Sequence, residues 1–545
     1  MRYGFVIDNR KCIGCHACTT ACKSEHNVPV GVNRTWVKQV EKGVFPDTRR
    51  LFSVLRCNHC TDAPCVEICP TEALYYRNDG IVDFDKDRCI GCKSCMQACP
   101  YDALYIDPET HTAAKCNYCA HRIDVGLEPA CVNVCPEHAI ISGDMENPNT
   151  EIAELLARQQ VSVRKYEKGT NPNLFYIDAD EASLTPAATP ATGEYFWNSQ
   201  TLGVGHFAKE AEKMAFSNGD VVTAVMEANN QYDLSGDVAK NGSKKSVAVL
   251  MGKEARRIYD TPNKGVLWGW EVSGYVWTKA IAAGVFLVAF MKELVFDTNM
   301  GSMFMTGNWM TWGILVSLAF LVVTGLLLIK DLDQPKRFLY VLLRPQWSSW
   351  LVKGGYAITA FGGLLTLILV AFYFRWFGIL PILKWACGVT AVFVASYTAF
   401  LFAQAKGRDF WQSPSLALHM ILHAVMAGAA FFAVLNLVFF YGEGPVDFLK
   451  NILYFSVGLN LLTIFFEIYT PHPTKDAKTV VDMITKGRYA KSFWGGAMLL
   501  GNVMPLVLLI IGFKGALPIS GVLVLVGILI LEKIWVEAPQ RIPLT

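Results

Sequence analysis

The sequence predicts an α+β domain made of two similar modules, followed by an all-α membrane bundle of about eight transmembrane helices. Three observations lead there. Sixteen of the 17 cysteines lie between Cys12 and Cys135, the cysteine-bearing stretch repeats itself, and long apolar runs begin only near Trp270. At 545 residues the chain exceeds one ordinary domain. Its formal charge of +2 leaves no bulk electrostatic footprint for nucleic acid or an acidic partner.

The cysteines fall into four quartets. Cys12, Cys15, Cys18 and Cys22 follow C-x2-C-x2-C-x3-C, and Cys89, Cys92, Cys95 and Cys99 repeat it. Cys57, Cys60, Cys65 and Cys69 read C-x2-C-x4-C-x3-C, and Cys116, Cys119, Cys131 and Cys135 read C-x2-C-x11-C-x3-C. A disulfide framework needs an oxidising compartment, and the opening MRYGFVIDNRKC shows no export signal. A lone C-x2-C fits zinc, but zinc sites take pairs rather than quartets closing in Cys-Pro, as three of these do at Pro70, Pro100 and Pro136. Three closely spaced cysteines wrap three irons of one 4Fe–4S cubane, and the fourth reaches the neighbouring cluster. CIGCHACTTAC (12–22) matches CIGCKSCMQAC (89–99), and the second quartet matches the fourth, so two bacterial-ferredoxin-type modules are expected.

Residues 1–180 thus form an α+β ferredoxin-like iron–sulfur domain. They resemble the four-cluster iron–sulfur subunit of the DMSO reductase and polysulfide reductase families of molybdopterin enzymes. That resemblance implies four 4Fe–4S clusters with crossed fourth ligands. One takes Cys12, Cys15, Cys18 and Cys135, and a second takes Cys116, Cys119, Cys131 and Cys22. The third takes Cys57, Cys60, Cys65 and Cys99, and the fourth Cys89, Cys92, Cys95 and Cys69. Ile13, Val66, Ile90 and Val132 read as core residues that keep water from these sites. His16, His59 and His121 read as local hydrogen-bonding or surface groups rather than metal ligands.

Residues 181–265 read as a linker. It opens with the Pro-rich ASLTPAATPATG (182–193) and continues with helix-like pieces at Phe207–Phe216 and Val222–Asn229. Residues 266–545 hold the membrane domain, with apolar stretches near 271–291, 309–329, 354–374, 382–403, 415–440, 449–469, 493–513 and 516–536. Tryptophans at their ends (Trp268, Trp270, Trp309, Trp347, Trp350, Trp376, Trp411 and Trp535) read as interfacial belts. Gly- and Ala-rich faces at Ala280–Gly284 and Ala427–Ala430 suit close helix packing, and Cys387 reads as a small buried residue.

Eight crossings put both chain ends on one side. The loops and tail there carry fourteen Lys and Arg against five opposite, which predicts a multi-pass protein of the cell inner (cytoplasmic) membrane with its cluster domain in the cytoplasm. Polysulfide reductase differs, since its iron–sulfur subunit faces outward.

The loop at 325–355 resembles that after the second helix of polysulfide-reductase-type membrane subunits, with Asp331, Leu332, Pro335, Arg337 and Phe338 matching the D-L-x-x-P-x-R-F pattern. The resemblance implies quinone binding (menaquinone or ubiquinone) at the interface with the iron–sulfur domain, and no haem. Asp331 and Arg337 read either as part of that site or as a structural ion pair. Ionisable residues inside a membrane are functional suspects, here Lys279, His419, His423 and Glu467. His419 and His423, four apart, share one helix face and suit quinone hydrogen bonding or proton relay better than two-sided haem ligation. A histidine simply satisfied inside the bundle is the competing reading.

The expected function is the electron-transfer and membrane-anchor subunit of a quinone-linked oxidoreductase. No dinucleotide fingerprint is present, so substrate chemistry belongs to a partner, by resemblance a molybdopterin-containing catalytic subunit in sulfur-compound respiration or oxidation, with formate-dehydrogenase-like partners second. Two alternatives are a redox-driven proton-translocating module and a cluster-bearing sensor without quinone chemistry.

Overall fold

The computed structural model describes residues 1–44, 47–189, 255–261, 264–296, 309–439, 443–513 and 515–545. The helix-like pieces expected at 207–216 and 222–229 lie outside them.

The N-terminal domain begins with β1 (Tyr3–Asp8), α1 (Ala17–His26), β2 (Thr35–Val44) and β3 (Asp47–Arg56). Then come α2 (Pro64–Glu67), β4 (Leu74–Tyr76), β5 (Val82–Phe84), α3 (Ser94–Ala98), β6 (Leu104–Ile106) and β7 (Ala113–Lys115). The remainder is α4 (Ala120–Ile123), α5 (Ala130–Asn133), β8 (Ile140–Asp144), α6 (Glu151–Arg158), β9 (Val161–Ser162), β10 (Leu174–Ile177) and α7 (Glu181–Leu184). The apolar β1 pairs antiparallel with β8 and parallel with β10, so the first strand is enclosed by later chain. β2 and β3 pair over their full length, from Thr35↔Arg56 to Val44↔Asp47. On β2, β11 (Ala255–Tyr259) adds a third strand, drawn from the stretch read as linker. β4 with β5 and β6 with β7 form short hairpins beside the cysteine loops.

Among the described residues, eight helices are long and apolar enough to cross a membrane. They are Trp270–Phe296, Trp309–Lys330, Trp350–Tyr373, Leu380–Gln404, Leu416–Phe439, Glu443–Tyr469, Ser492–Ile511 and Ala516–Glu537, named below first to eighth. The first is apolar nearly all round and is the most enclosed of them. It meets the fifth where Gly284 and Gly428 face each other, and a Cβ on either would run into the other helix's backbone. Cys387 is fully buried. The seventh is wound as a π-helix over Ser492–Val503 before continuing as an α-helix.

Chain before the first helix, the loops after the second, fourth and sixth, and the tail after the eighth all lie at one end of the bundle, and the iron–sulfur domain sits there. Asp333 N and Gln334 N donate to Gly91 O and Ile90 O, and Ser349 Oγ donates to Ile68 O at 2.7 Å. Arg408, fully inside the junction, donates to Gln97 Oε1 and to the tail carbonyls of Pro539 and Ile542. Lys168 pairs with Asp409 across the same seam.

Two expectations need correction. Trp268, Trp411 and Trp535 are buried rather than interfacial, and so is Trp309, which stacks on Phe432. Trp268 stacks on Trp411 at 5.6 Å, and their indole N–H groups donate to Cys92 O and Trp535 O. The cluster domain covers this end of the bundle, so aromatic residues that would face headgroups in a bare bundle become its seam. Trp270, Trp347 and Trp376 do remain exposed. Of the five opposite Lys and Arg expected in loops (Lys292, Arg375, Lys384, Lys450 and Lys514), Lys384 lies inside the fourth helix, buried against Glu293 at 2.8 Å.

Candidate functional site

Each cysteine loop is shaped by residues in the left-handed region. Gly14 and Gly91 both have φ +71°, and His16 and Lys93, which precede α1 and α3, have φ 61° and 60°. These turns aim the C-x2-C sulfurs inward and let the last cysteine start or leave a helix pointing elsewhere. One cavity is lined by Cys12, Cys15, Cys18 and Cys135. Another is lined by Cys69, Cys89, Cys92 and Cys95. Cys22 lies beside Cys116, Cys131 and Cys119, and burial together with those neighbours pushes its thiol well up. Cys65 stands in the same relation to Cys99, Cys57 and Cys60.

The donor set fits a cluster better than an ion. Four thiols rim a void, and among the described residues no three His, Cys, Asp or Glu side chains converge on a single metal ion. A zinc ion would need its thiolates about 2.3 Å from one point. Backbone N–H groups of Gly91 and Ala113 donate to Cys89 Sγ, and that of Ala139 to Cys135 Sγ. Two side chains not singled out in the sequence also reach cysteine sulfurs of these loops. Arg56 Nη1 donates to Cys131 Sγ at 2.9 Å, and His26 Nε2 lies 3.2 Å from Cys119 Sγ. Neither lies inside a cysteine motif as a ligand type would, and nothing in linear spacing brings His26 to Cys119.

Burial around the loops is uneven. Val66, Ile90 and Val132 are buried as expected, but Ile13 is 56% exposed and is corrected to a surface residue. The loop at 12–18 lies at the outer face, with Cys15 exposed and Cys12 and Cys135 half-buried, whereas polypeptide from the membrane half covers the loop at 89–95. His59 is buried and accepts from Val82 N, His16 contacts Gln39, and His121 pairs with Glu25 at the surface.

At the membrane end, Lys93 reaches Asp331 O at 3.0 Å and Asp333 at 3.1 Å. Burial pushes the Asp331 carboxyl up to about 7, against the pull of Lys93. Arg337 donates to Lys86 O at 2.7 Å and Cys89 O at 3.0 Å, clamping the base of the fourth loop.

Deeper, two carboxylate–imidazole pairs share one face. His419 Nδ1 bonds Glu467 at 2.8 Å, and His423 Nδ1 bonds Glu532 at 2.6 Å. The two rings lie 4.2 Å apart, and Ser415 Oγ donates to the other Glu467 oxygen. His423 Nε2 is buried without a hydrogen-bond partner. Lys279, on the first helix, donates to Thr398 Oγ1 at 2.5 Å and lies over the Tyr397 ring. Glu532 escaped the sequence reading because, five residues from the end of the last helix and next to Lys533, it looks like an interfacial charge.

The comparisons follow the same division. Residues 11–74 and 48–145 match models of the 4Fe-4S dicluster domain, and residues 260–540 match the polysulphide reductase NrfD model. A subunit of the tetrathionate reductase of Salmonella typhimurium is 46% identical over 189 residues, 34% of this chain and 76% of the relative. A component of the polysulfide reductase of Wolinella succinogenes is 44% identical over 181 residues, 32% of this chain and 94% of the relative. The iron–sulfur subunit ArrB of the arsenate respiratory reductase of a Shewanella strain is 34% identical over 225 residues, 32% of this chain and 96% of the relative. Together with the geometry, these matches show an iron–sulfur electron-transfer portion joined to a multi-pass membrane portion, and the chain belongs to the polysulphide reductase NrfD family.

Proposed function

We propose that this chain links a catalytic partner to the quinone pool through four 4Fe–4S clusters, held by the four crossed cysteine sets given above. The observation that carries the reading is the opposite exposure of the two end sites. The Cys12, Cys15, Cys18 and Cys135 site opens outward beside exposed Ile13, a surface fit for an electron-exchanging partner. The Cys89, Cys92, Cys95 and Cys69 site is sealed against the membrane half by Trp268, Arg337 and the backbone of Asp333 and Gln334. Bound in these sites, 4Fe–4S clusters carry single electrons. The apolar residues around the inner cysteines keep water out, and the N–H groups on sulfur favour the charged ligand form.

A quinone takes up two electrons and two protons to become a quinol, and gives both up in the reverse direction. Ser413, Ser415, Glu467, His419, His423 and Glu532 form a polar file from the cluster end of the bundle to a buried, unpartnered imidazole nitrogen. His423 is thus placed to exchange a proton with a quinone oxygen, and Glu532 fixes its orientation through Nδ1. Asp331 and Arg337 act nearer the cluster loop, Arg337 by holding it. Beyond Lys279, the first helix presents buried apolar residues from Ala280 to Phe290, which favours proton exchange with the cluster side over transmembrane pumping. Tetrathionate and polysulfide reductase relatives favour a molybdopterin-type catalytic subunit acting on sulfur compounds. The charge asymmetry of the loops favours the cytoplasmic face of the inner membrane for the cluster domain.

The test is His423→Phe in the assembled complex. Quinone-linked turnover should fall by about 10²-fold or more, as loss of a general acid–base does, with cluster spectra unchanged. Normal turnover would remove His423 from the mechanism. Iron and sulfide should each be about sixteen per chain, and about eight would refute four cubanes. Protease added to intact cells should spare residues 1–260, and ready cleavage would reverse the orientation.

A further inference from the structure

The repeat that duplicates the cysteine loops also duplicates a buried cation. Arg56 precedes Cys57 in RCNHC, and Lys115 precedes Cys116 in KCNYC. Both side chains are fully buried. Arg56 closes β3 and turns away from its own quartet. Its guanidinium donates to Cys131 Sγ at 2.9 Å, lies over the Phe5 ring at 4.6 Å, and leaves Nε and Nη2 without partners. Lys115 does the converse. Its ammonium is held by the carbonyls of Val82 and Cys116, and Cys116 packs in one buried cluster with Cys57, Cys60, Cys65 and Cys99.

A buried Arg with no carboxylate to meet it is strongly unfavourable unless an anion faces it. A guanidinium does not shed its proton, so the sulfurs must supply the negative charge, as iron-bound thiolates do.

We propose that Arg56 and Lys115 are a crossed pair of potential-setting residues. Arg56 raises the reduction potential at the Cys22, Cys116, Cys119 and Cys131 site, and Lys115 does so at the Cys57, Cys60, Cys65 and Cys99 site. The proposal rests on the ligand sets given under the proposed function. A cluster bound at either site would accept one electron from a neighbouring cluster site and release it to the next. No bond forms or breaks and no proton moves. The fixed positive charge and the N–H on sulfur favour the form that carries the extra electron. The two inner sites are thereby held above the potential they would have in the same apolar surroundings without a cation.

The experiment is an EPR-monitored redox titration of the assembled complex carrying Arg56→Met or Lys115→Met, with iron and sulfide measured on the same samples. Arg56→Met should lower one of the four midpoint potentials by at least about tenfold in the reduction equilibrium, about 59 mV for one electron. Lys115→Met should lower a different one. Four unmoved midpoints at full iron content would overturn the proposal, and so would both variants moving the same midpoint. If Arg56→Met does not load iron, Arg56→Lys decides. It keeps the positive charge, so its midpoint should stay within about 59 mV of the parent's, and a fall larger than that at full iron content refutes the role of the charge. A parent protein with about eight irons would instead remove the ligand sets and leave the buried cations unexplained.

Discussion

The loops at 12–22 and 89–99 are near copies, yet one faces outward and the other is roofed by the membrane half. They share the backbone. Each has a glycine at φ +71° and a residue near φ 60° ahead of a short helix. They differ in what stands opposite. Phe52 packs against Gly14 and β11 brings Tyr259 to His16, whereas Asp333 lies over Gly91 and Asp331 and Asp333 receive Lys93. Cysteine spacing is written locally in the loop, and what each copy faces is set by the remote chain that covers it.

The largest effect should come from reversing this difference in burial. Ile90→Asp would bury a carboxylate beside the sealed fourth site, costing about 3 kcal/mol or more, with loss of iron from that site. Ile13→Asp should leave stability within about 0.5 kcal/mol and iron content intact, while weakening capture of the catalytic partner. Iron analysis and co-purification read both. If Ile13→Asp loses iron as Ile90→Asp does, the two loops are equivalent and the outward-facing end is not a docking surface.

The glycines sharpen the contrast at a smaller scale. Alanine at φ +71° costs about 1–2 kcal/mol in either loop. A Cβ on Gly91 would also meet the Asp333 backbone, while the nearest atoms to one on Gly14 are those of the Phe52 ring. Gly91→Ala should therefore slow electron transfer to quinone more than Gly14→Ala does, at similar thermal midpoints. Equal slowing would show that the seam at Asp333 does not set the distance.

Much of this was legible in the sequence because cubane ligation is a short-range constraint. Cys12, Cys15 and Cys18 need one loop, and apolar runs of about twenty residues need one membrane. What was not legible depends on residues remote in sequence. Ile13 is exposed and Ile90 buried, and residues 333–334 bond to the backbone of the second loop. Trp268 and Trp411 look interfacial until a folded domain is placed above them. Glu532 becomes an intramembrane partner only when the eighth helix is laid against the fifth. His423 was legible as a buried ionisable group, but its free Nε2 follows from Glu532 taking Nδ1.

The smallest effect concerns pH at the covered loop. Asp331 is pushed up to about 7 by burial and by Asp333 and Glu271, against Lys93, whereas an unfolded aspartate titrates near about 4. Between those values the folded protein binds more protons than the unfolded one, so this group's stabilisation is fully present below about pH 4 and is lost as pH rises through about 7. The seam over the fourth site should loosen across that window, while the outward loop, faced by Phe52 and Tyr259, should not. Asp331→Asn removes the ionisation, so its thermal midpoint should fall less than the parent's between about pH 5 and 8. Parallel pH profiles would mean that Asp331 stays charged beside Lys93. The roof over Gly91 would then be held by an ordinary ion pair and the backbone bonds of Asp333 and Gln334 alone.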